Sequence, residues 1–198
     1  MKELSRREDN VDHAVVIGAS AGGIKALPEL LNALPGDFFW PVIIVIHLSR
    51  GQESRLAESL NRRCRLPVKE ADNLEQIRYG MVYLAPRNYH LMVEDDLRFS
   101  LDIDDPVSFS CPSVDVLFES AAHVFQQNLV GVILTGANAD GAKGMRTIKE
   151  MGGVTIVQQP EEANFSAMPS AALRATTIDY VLPLAEITPL LVRLCATE

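Results

Sequence analysis

Cysteine is scarce in this chain: Cys64, Cys111 and Cys195 are the only three in 198 residues. Their number is odd and no two form a CxxC pair. This speaks against a disulfide frame or a thiolate zinc site and reads as reduced thiols in a cytosolic protein. None sits in a glycine-rich turn, so no catalytic cysteine is expected. Positive charge is also short. Lys and Arg number 18 against 26 Asp and Glu, a net charge of −8. That balance argues against non-specific nucleic-acid binding and against anionic membrane surfaces. Histidine is sparse, and no two of the 4 show metal-ligand spacing with one another, Cys or Asp, so no metal or other cofactor is expected. No apolar run reaches the roughly 18 residues that span a bilayer. Met1–Asp12 is charged and lacks an apolar centre, which excludes a signal peptide and reads as a polar N-terminal arm. Internal repeats and low-complexity tracts are absent.

Apolar residues are plentiful at 47%, so the chain is expected to pack rather than remain disordered. Its length suits one domain, residues 13–198. Short β-branched runs at 14–18, 41–47, 66–71, 80–86, 129–135, 154–158 and 180–182 predict strands. Apolar residues at helical spacing predict helices near 22–33, 52–62, 113–127, 142–151, 168–175 and 187–195. Residues 90–93 and 97–101, joined by Asp95-Asp96, read as an antiparallel hairpin. Buried strands alternating with helices imply an α/β fold of three αβα layers, with a doubly wound, mostly parallel sheet.

The chain is organised around Gly18-Ala19-Ser20-Ala21-Gly22-Gly23, a sharp strand-to-helix turn carrying one serine. The spacing fits a nucleophile elbow. Glycine-rich turns of this kind also cradle phosphates, and Ser20 could instead cap the helix. A dinucleotide site calls for an acid closing the second strand, where His47 stands, and the glycines are not GxGxxG. In parallel sheets, sites form beyond the carboxyl ends of the strands. Ser20, His47 and Asp140 all follow predicted parallel strands and supply a hydroxyl, a base and a carboxylate. The other histidines, His13, His90 and His123, read as structural or solvent-exposed. Asp115 reads as a helix first-turn charge and Asp104-Asp105 as loop charges.

Several stretches carry a further signal: Ile17 to Gly23, Ile46-His47-Leu48, Val82 to Pro86 with His90-Leu91, Pro112 to Phe118, Leu134-Thr135-Gly136 with Asp140-Gly141-Ala142 and Gly144-Met145, Gly152-Gly153, and Met168 to Ala172. In type and order these resemble the catalytic domain of the chemotaxis protein-glutamate methylesterase family, CheB. The resemblance implies hydrolysis of glutamyl γ-methyl esters on the signalling helices of a methyl-accepting chemoreceptor, and deamidation of certain receptor glutamines. It places the family's serine, histidine and aspartate on Ser20, His47 and Asp140. It puts oxyanion backbone N–H groups at Ala21 and Ala137.

Departures fall around the rim. Ala21 stands where the family commonly has Thr, Leu48-Ser49 where it often has Met-Pro, Arg87 for a glycine and Cys111 for an arginine. Ala139 separates Asn138 from the aspartate. Regulated members carry an N-terminal phospho-receiver domain, which twelve polar residues cannot form. The expectation is a domain without that switch, one with a regulator in trans, or a fragment. Arg50, Arg55, Arg62, Arg63 and Arg65 read as a solvated helix face or as a surface steering acidic receptor helices. From another class, a catalytically idle module binding receptor or partner helices would share the same fold.

Overall fold

The β-branched run near the N-terminus forms the central strand, β1 (Ala14–Ala19), buried at every residue. It is flanked by β2 (Val42–Ile46) and β7 (Leu129–Ile133), equally buried. This computed structural model describes residues 11–48, 55–103 and 110–196. Most of the polar arm, Arg50, the start of the predicted second helix and Asp104-Asp105 lie outside the described residues.

The remaining elements are α1 (Gly23–Ala33), α2 (Leu56–Asn61), β3 (Val68–Glu70), β4 (Val82–Leu84), β5 (His90–Val93), β6 (Phe99–Asp102), α3 (Val114–Phe125), α4 (Ala142–Glu150), β8 (Val154–Gln158), α5 (Ala167–Ala175), β9 (Tyr180–Leu182) and α6 (Leu184–Ala196). Seven strands form one sheet in the order β3-β4-β2-β1-β7-β8-β9, paired in parallel throughout. The hairpin β5-β6 forms a separate antiparallel pair, as its alternation and Asp95-Asp96 turn predict.

Side chains alternate across the sheet and feed two cores. Val15, Ile17, Ile44 and Val132 pack with α1, α2 and α6 on one face. Val16, Ile43, Val45 and Ile133 pack with α3, α4, α5 and the hairpin on the other. The helix after β1 therefore lies on one face and the helix after β7 on the other. Where neighbouring strands send their helices to opposite faces, a crevice opens beyond their carboxyl ends.

Element ends differ from the sequence reading for local reasons. The strand expected at 66–71 shortens to Val68–Glu70, because Pro67 has no N–H to give the ladder. Leu97 adopts a left-handed φ of 60° and closes a turn onto Glu94, so the second hairpin strand starts at Phe99. The last helix begins three residues early, at Leu184, whose N–H donates to the Glu162 carboxylate at 2.6 Å.

Candidate active site

Among the described residues, no hydrogen bond ties the serine hydroxyl of the turn after β1 to the scaffold. The Gly23 N–H donates to the Ser20 backbone oxygen at 2.8 Å, and no side chain caps α1. The capping reading of Ser20 is therefore corrected: its carbonyl closes the turn, not its hydroxyl. Gly22 makes the bend with a φ of +87°, and a Cβ there would meet Thr135 Oγ1 at 2.8 Å. Only glycine fits both demands.

Thr135 explains that close approach. Its hydroxyl donates to the Ala21 oxygen at 2.9 Å and accepts from the Phe165 N–H at 2.9 Å. The Ser20 N–H in turn donates to the Thr135 oxygen at 3.0 Å. One buried threonine thus fastens the Ser20 turn, the end of β7 and the loop before α5. Sequence reasoning missed it, because its partners are far away in the chain.

His47 follows β2 directly. The register pairs Ala19 with Ile46, and the His47 N–H continues it by donating to the Ala19 oxygen at 3.0 Å. Ser20 and His47 are thereby held side by side at two adjacent strand ends. Both line an open cleft of about 850 Å³, with Ala21, Gly22, Ile24, Lys25, Leu48, Asn164 and Phe165.

Asp140 lies beneath, fully buried. Its Oδ2 accepts from His47 Nε2 at 2.9 Å and from the Val114 N–H at 2.8 Å. Its Oδ1 accepts from the Ser113 hydroxyl at 2.9 Å and from the Asp115 N–H at 3.0 Å. The carboxylate sits on the N-terminus of α3, where unpaired backbone N–H groups and the helix dipole favour negative charge. Burial pushes its pKa up, but the bonds from His47, Asp115 and Val114 outweigh this and hold it below the ordinary carboxylate value. Asp140 is therefore ionised at neutral pH and accepts only. Nε2 of His47 must carry the ring proton, which leaves Nδ1 with the lone pair.

The other polar residues singled out in the sequence resolve into scaffolding. His90 is buried, and its Nδ1 accepts from the Ser113 N–H at 3.2 Å. His13 stacks on Trp40, with ring centroids 4.9 Å apart, at the opposite end of β1. His123 is exposed and bonds the Glu119 oxygen of its own helix. Ala21 lines the cleft, whereas Ala137 is exposed on the β7–α4 turn and is not among the described walls. Among the described residues, no group of His, Cys, Asp and Glu could hold a metal ion, and no helix is long and apolar enough to cross a membrane.

Asp115 stands in the first turn of α3, as the sequence reading has it. It is a first-turn acid but not a solvated one. It is 7% exposed and accepts the Gly144 N–H at 2.8 Å. Burial, with the Asp140 charge beside it, pushes its pKa up to about 6. A raised carboxyl pKa means the folded state holds the proton more tightly. The resulting stability is full below the unfolded value near 3.8 and is lost as pH rises through about 6. Asp115→Asn keeps an oxygen for Gly144 and removes that loss. It should raise stability at pH 7 to 8 by on the order of 1–3 kcal/mol, with little gain at pH 4. Urea unfolding at the two pH values checks this; an equal effect at both would contradict it.

Residues 15–191 match the family model of the CheB methylesterase. The chain belongs to the CheB methylesterase family. A putative protein-glutamate methylesterase/protein-glutamine glutaminase of Leptospira interrogans is 49% identical over 181 residues, covering 91% of this chain and 94% of that protein. A protein-glutamate methylesterase/protein-glutamine glutaminase of Methanosarcina mazei is 41% identical, and the match covers 92% of this chain but 52% of that longer protein. The crystal structure of the Thermotoga maritima CheB methylesterase catalytic domain superposes with a TM-score of 0.87 at 34% identity, covering 92% of this chain and 98% of that one. The CheB methylesterase fold thus accounts for both the seven-stranded sheet and the hairpin. Of the positions departing from the family pattern, Ala21 and Leu48 stand on the cleft wall; Arg87 and Cys111 do not.

Proposed function

We propose that this CheB-family domain is a serine esterase that hydrolyses glutamyl γ-methyl esters on chemoreceptor signalling helices, with Ser20, His47 and Asp140 as its triad. The observation that carries the reading is the buried Asp140 carboxylate on His47 Nε2, 2.9 Å away, at the cleft that Ser20 also lines. That bond leaves Nδ1 as the only basic nitrogen.

In this reading Nδ1 takes the Ser20 Oγ proton as Oγ attacks the ester carbonyl. The tetrahedral oxyanion forms beside backbone donors, with the Ala21 and Ala137 N–H groups as candidates. The intermediate collapses, and the proton on Nδ1 passes to the departing methoxide, releasing methanol. Water then gives a proton to Nδ1 as its oxygen attacks the acyl-enzyme carbonyl, and collapse of that intermediate breaks the bond to Ser20 Oγ, which takes the proton back from Nδ1 as glutamate is freed. A glutamine side chain would follow the same path with ammonia as leaving group. Asp140 orients the ring and stabilises the imidazolium throughout.

The test is a serine-directed fluorophosphonate, read by intact mass and peptide mapping. Attachment at Ser20 in folded protein is expected. No attachment would favour the catalytically idle module that docks on receptor helices. Release of methanol from a methyl-esterified receptor fragment then tests the substrate.

A further inference from the structure

The side-chain amide of Asn138 lies on the one ring nitrogen that the mechanism needs. Its orientation is fixed by a backbone donor. The Asp140 N–H donates to Asn138 Oδ1 at 3.3 Å, so the oxygen faces the turn. Nδ2, which can only donate, faces His47 Nδ1 at 3.2 Å and Ser110 Oγ at 3.4 Å. On the other edge of the ring, Nε2 meets the Asp140 carboxylate at 2.9 Å, an acceptor only. An acceptor at Nε2 and a donor at Nδ1 suit one neutral tautomer, with the proton on Nε2. Asp140 and Asn138 therefore clamp the imidazole from both sides and agree on its state.

Nδ1 has a single lone pair. While the Asn138 amide is seated there, the Ser20 hydroxyl cannot donate to it at full strength. Asn138 is half-buried between exposed Ala137 and Ala139, so its amide can turn aside without disturbing the core. Ser110 Oγ is at hand to receive it.

We propose that Asn138 is a positioning residue that latches the base: its amide locks His47 in the Nε2-protonated tautomer and occupies Nδ1 in the resting site, and Ser20 becomes reactive when its O–H takes the amide's place. This rests on the triad proposed above. The proton balance is unchanged, since the Ser20 proton still goes to Nδ1 once the amide has left.

The test uses the full chain with Asn138→Ala, Asn138→Ser and Asn138→Asp. It reads the rate of fluorophosphonate attachment at Ser20 and the ¹⁵N resonance of His47 Nδ1. Serine keeps an oxygen for the Asp140 N–H but is too short to reach the ring. The alanine and serine variants should react about fivefold faster, the rate equivalent of one neutral hydrogen bond of ~1 kcal/mol. Their Nδ1 resonance should move toward that of an unbonded lone-pair nitrogen. Asn138→Asp, which puts a carboxylate at Nδ1 and draws the proton there, should slow attachment about tenfold or more. Equal or slower attachment in folded alanine and serine variants, or an unmoved Nδ1 resonance, overturns the latch. If the parent itself takes no probe, the triad reading fails instead, and the resonance alone still decides whether the amide sits on the ring.

Discussion

Replacing Ser20 with alanine is expected to lower methyl-ester turnover by about 10⁴-fold or more, with no measurable change in melting temperature. The two halves of that statement come from one observation. The hydroxyl is neither a helix cap nor a link between loops; the Ser20 carbonyl and the Thr135 side chain do that work. Alanine on a half-buried turn between Ala19 and Ala21 leaves no unpaired buried donor. A large kinetic loss in a fully folded variant would therefore be a loss of chemistry. Turnover within tenfold of the parent would remove Ser20 from the mechanism and leave the binding-module reading standing. Steady-state methanol release and a thermal melt on the same preparation provide both numbers.

Asp140→Asn is the second large effect, and it should cost both activity and stability. Four donors converge on the two carboxylate oxygens: the His47 ring, the Ser113 hydroxyl and the Val114 and Asp115 N–H groups. A carboxamide offers one acceptor oxygen. Whichever way it sits, the two donors on the other side lose their acceptor and face an NH₂. If the NH₂ faces His47, the ring must present a lone pair at Nε2, which puts the proton on Nδ1 and disables the base. Turnover should fall by about 10⁴-fold, as when a triad acid is replaced by its amide elsewhere. Stability should fall by on the order of 1–3 kcal/mol for the buried N–H left unpaired. The pH dependence carries its own sign. A carboxylate held below its ordinary value stabilises the fold above that value, and the contribution is lost as pH falls beneath it. The variant should therefore lose stability at pH 7 while unfolding less steeply below pH 4 than the parent. Stability equal to the parent across that range would mean that Asp140 does not anchor α3.

Much of the fold can be read in the sequence, because a parallel sheet covered on both faces needs continuous apolar runs. Residues 14–17, 42–46 and 129–133 announce themselves in this way. Strand and helix ends are less legible. They depend on single events such as the left-handed Leu97 or the capture of the Leu184 N–H by Glu162, a residue 22 positions away. The candidate site divides along the same line. Ser20, His47 and Asp140 can be picked out, since Ser20 and His47 stand directly after strands of the sheet and Asp140 lies on the turn that follows β7. The residues that hold them are not visible locally. Asp115 looks like any acid in a first helical turn until α3 packs against the first turn of α4 and buries it. Thr135 looks like the last residue of a strand, Ser113 like an ordinary cap. Asn138 reads as one more polar residue in a turn until Asp140 fixes which end of its amide faces the ring.

The placement of β1 between β2 and β7 has a consequence for synthesis. The Asp140 carboxylate is synthesised 93 residues after the His47 imidazole that it bonds. Until residue 133 emerges, one side of β1 has no neighbour and the crevice has only one wall. In the proposed triad, base and acid therefore meet only once β7 has joined the sheet.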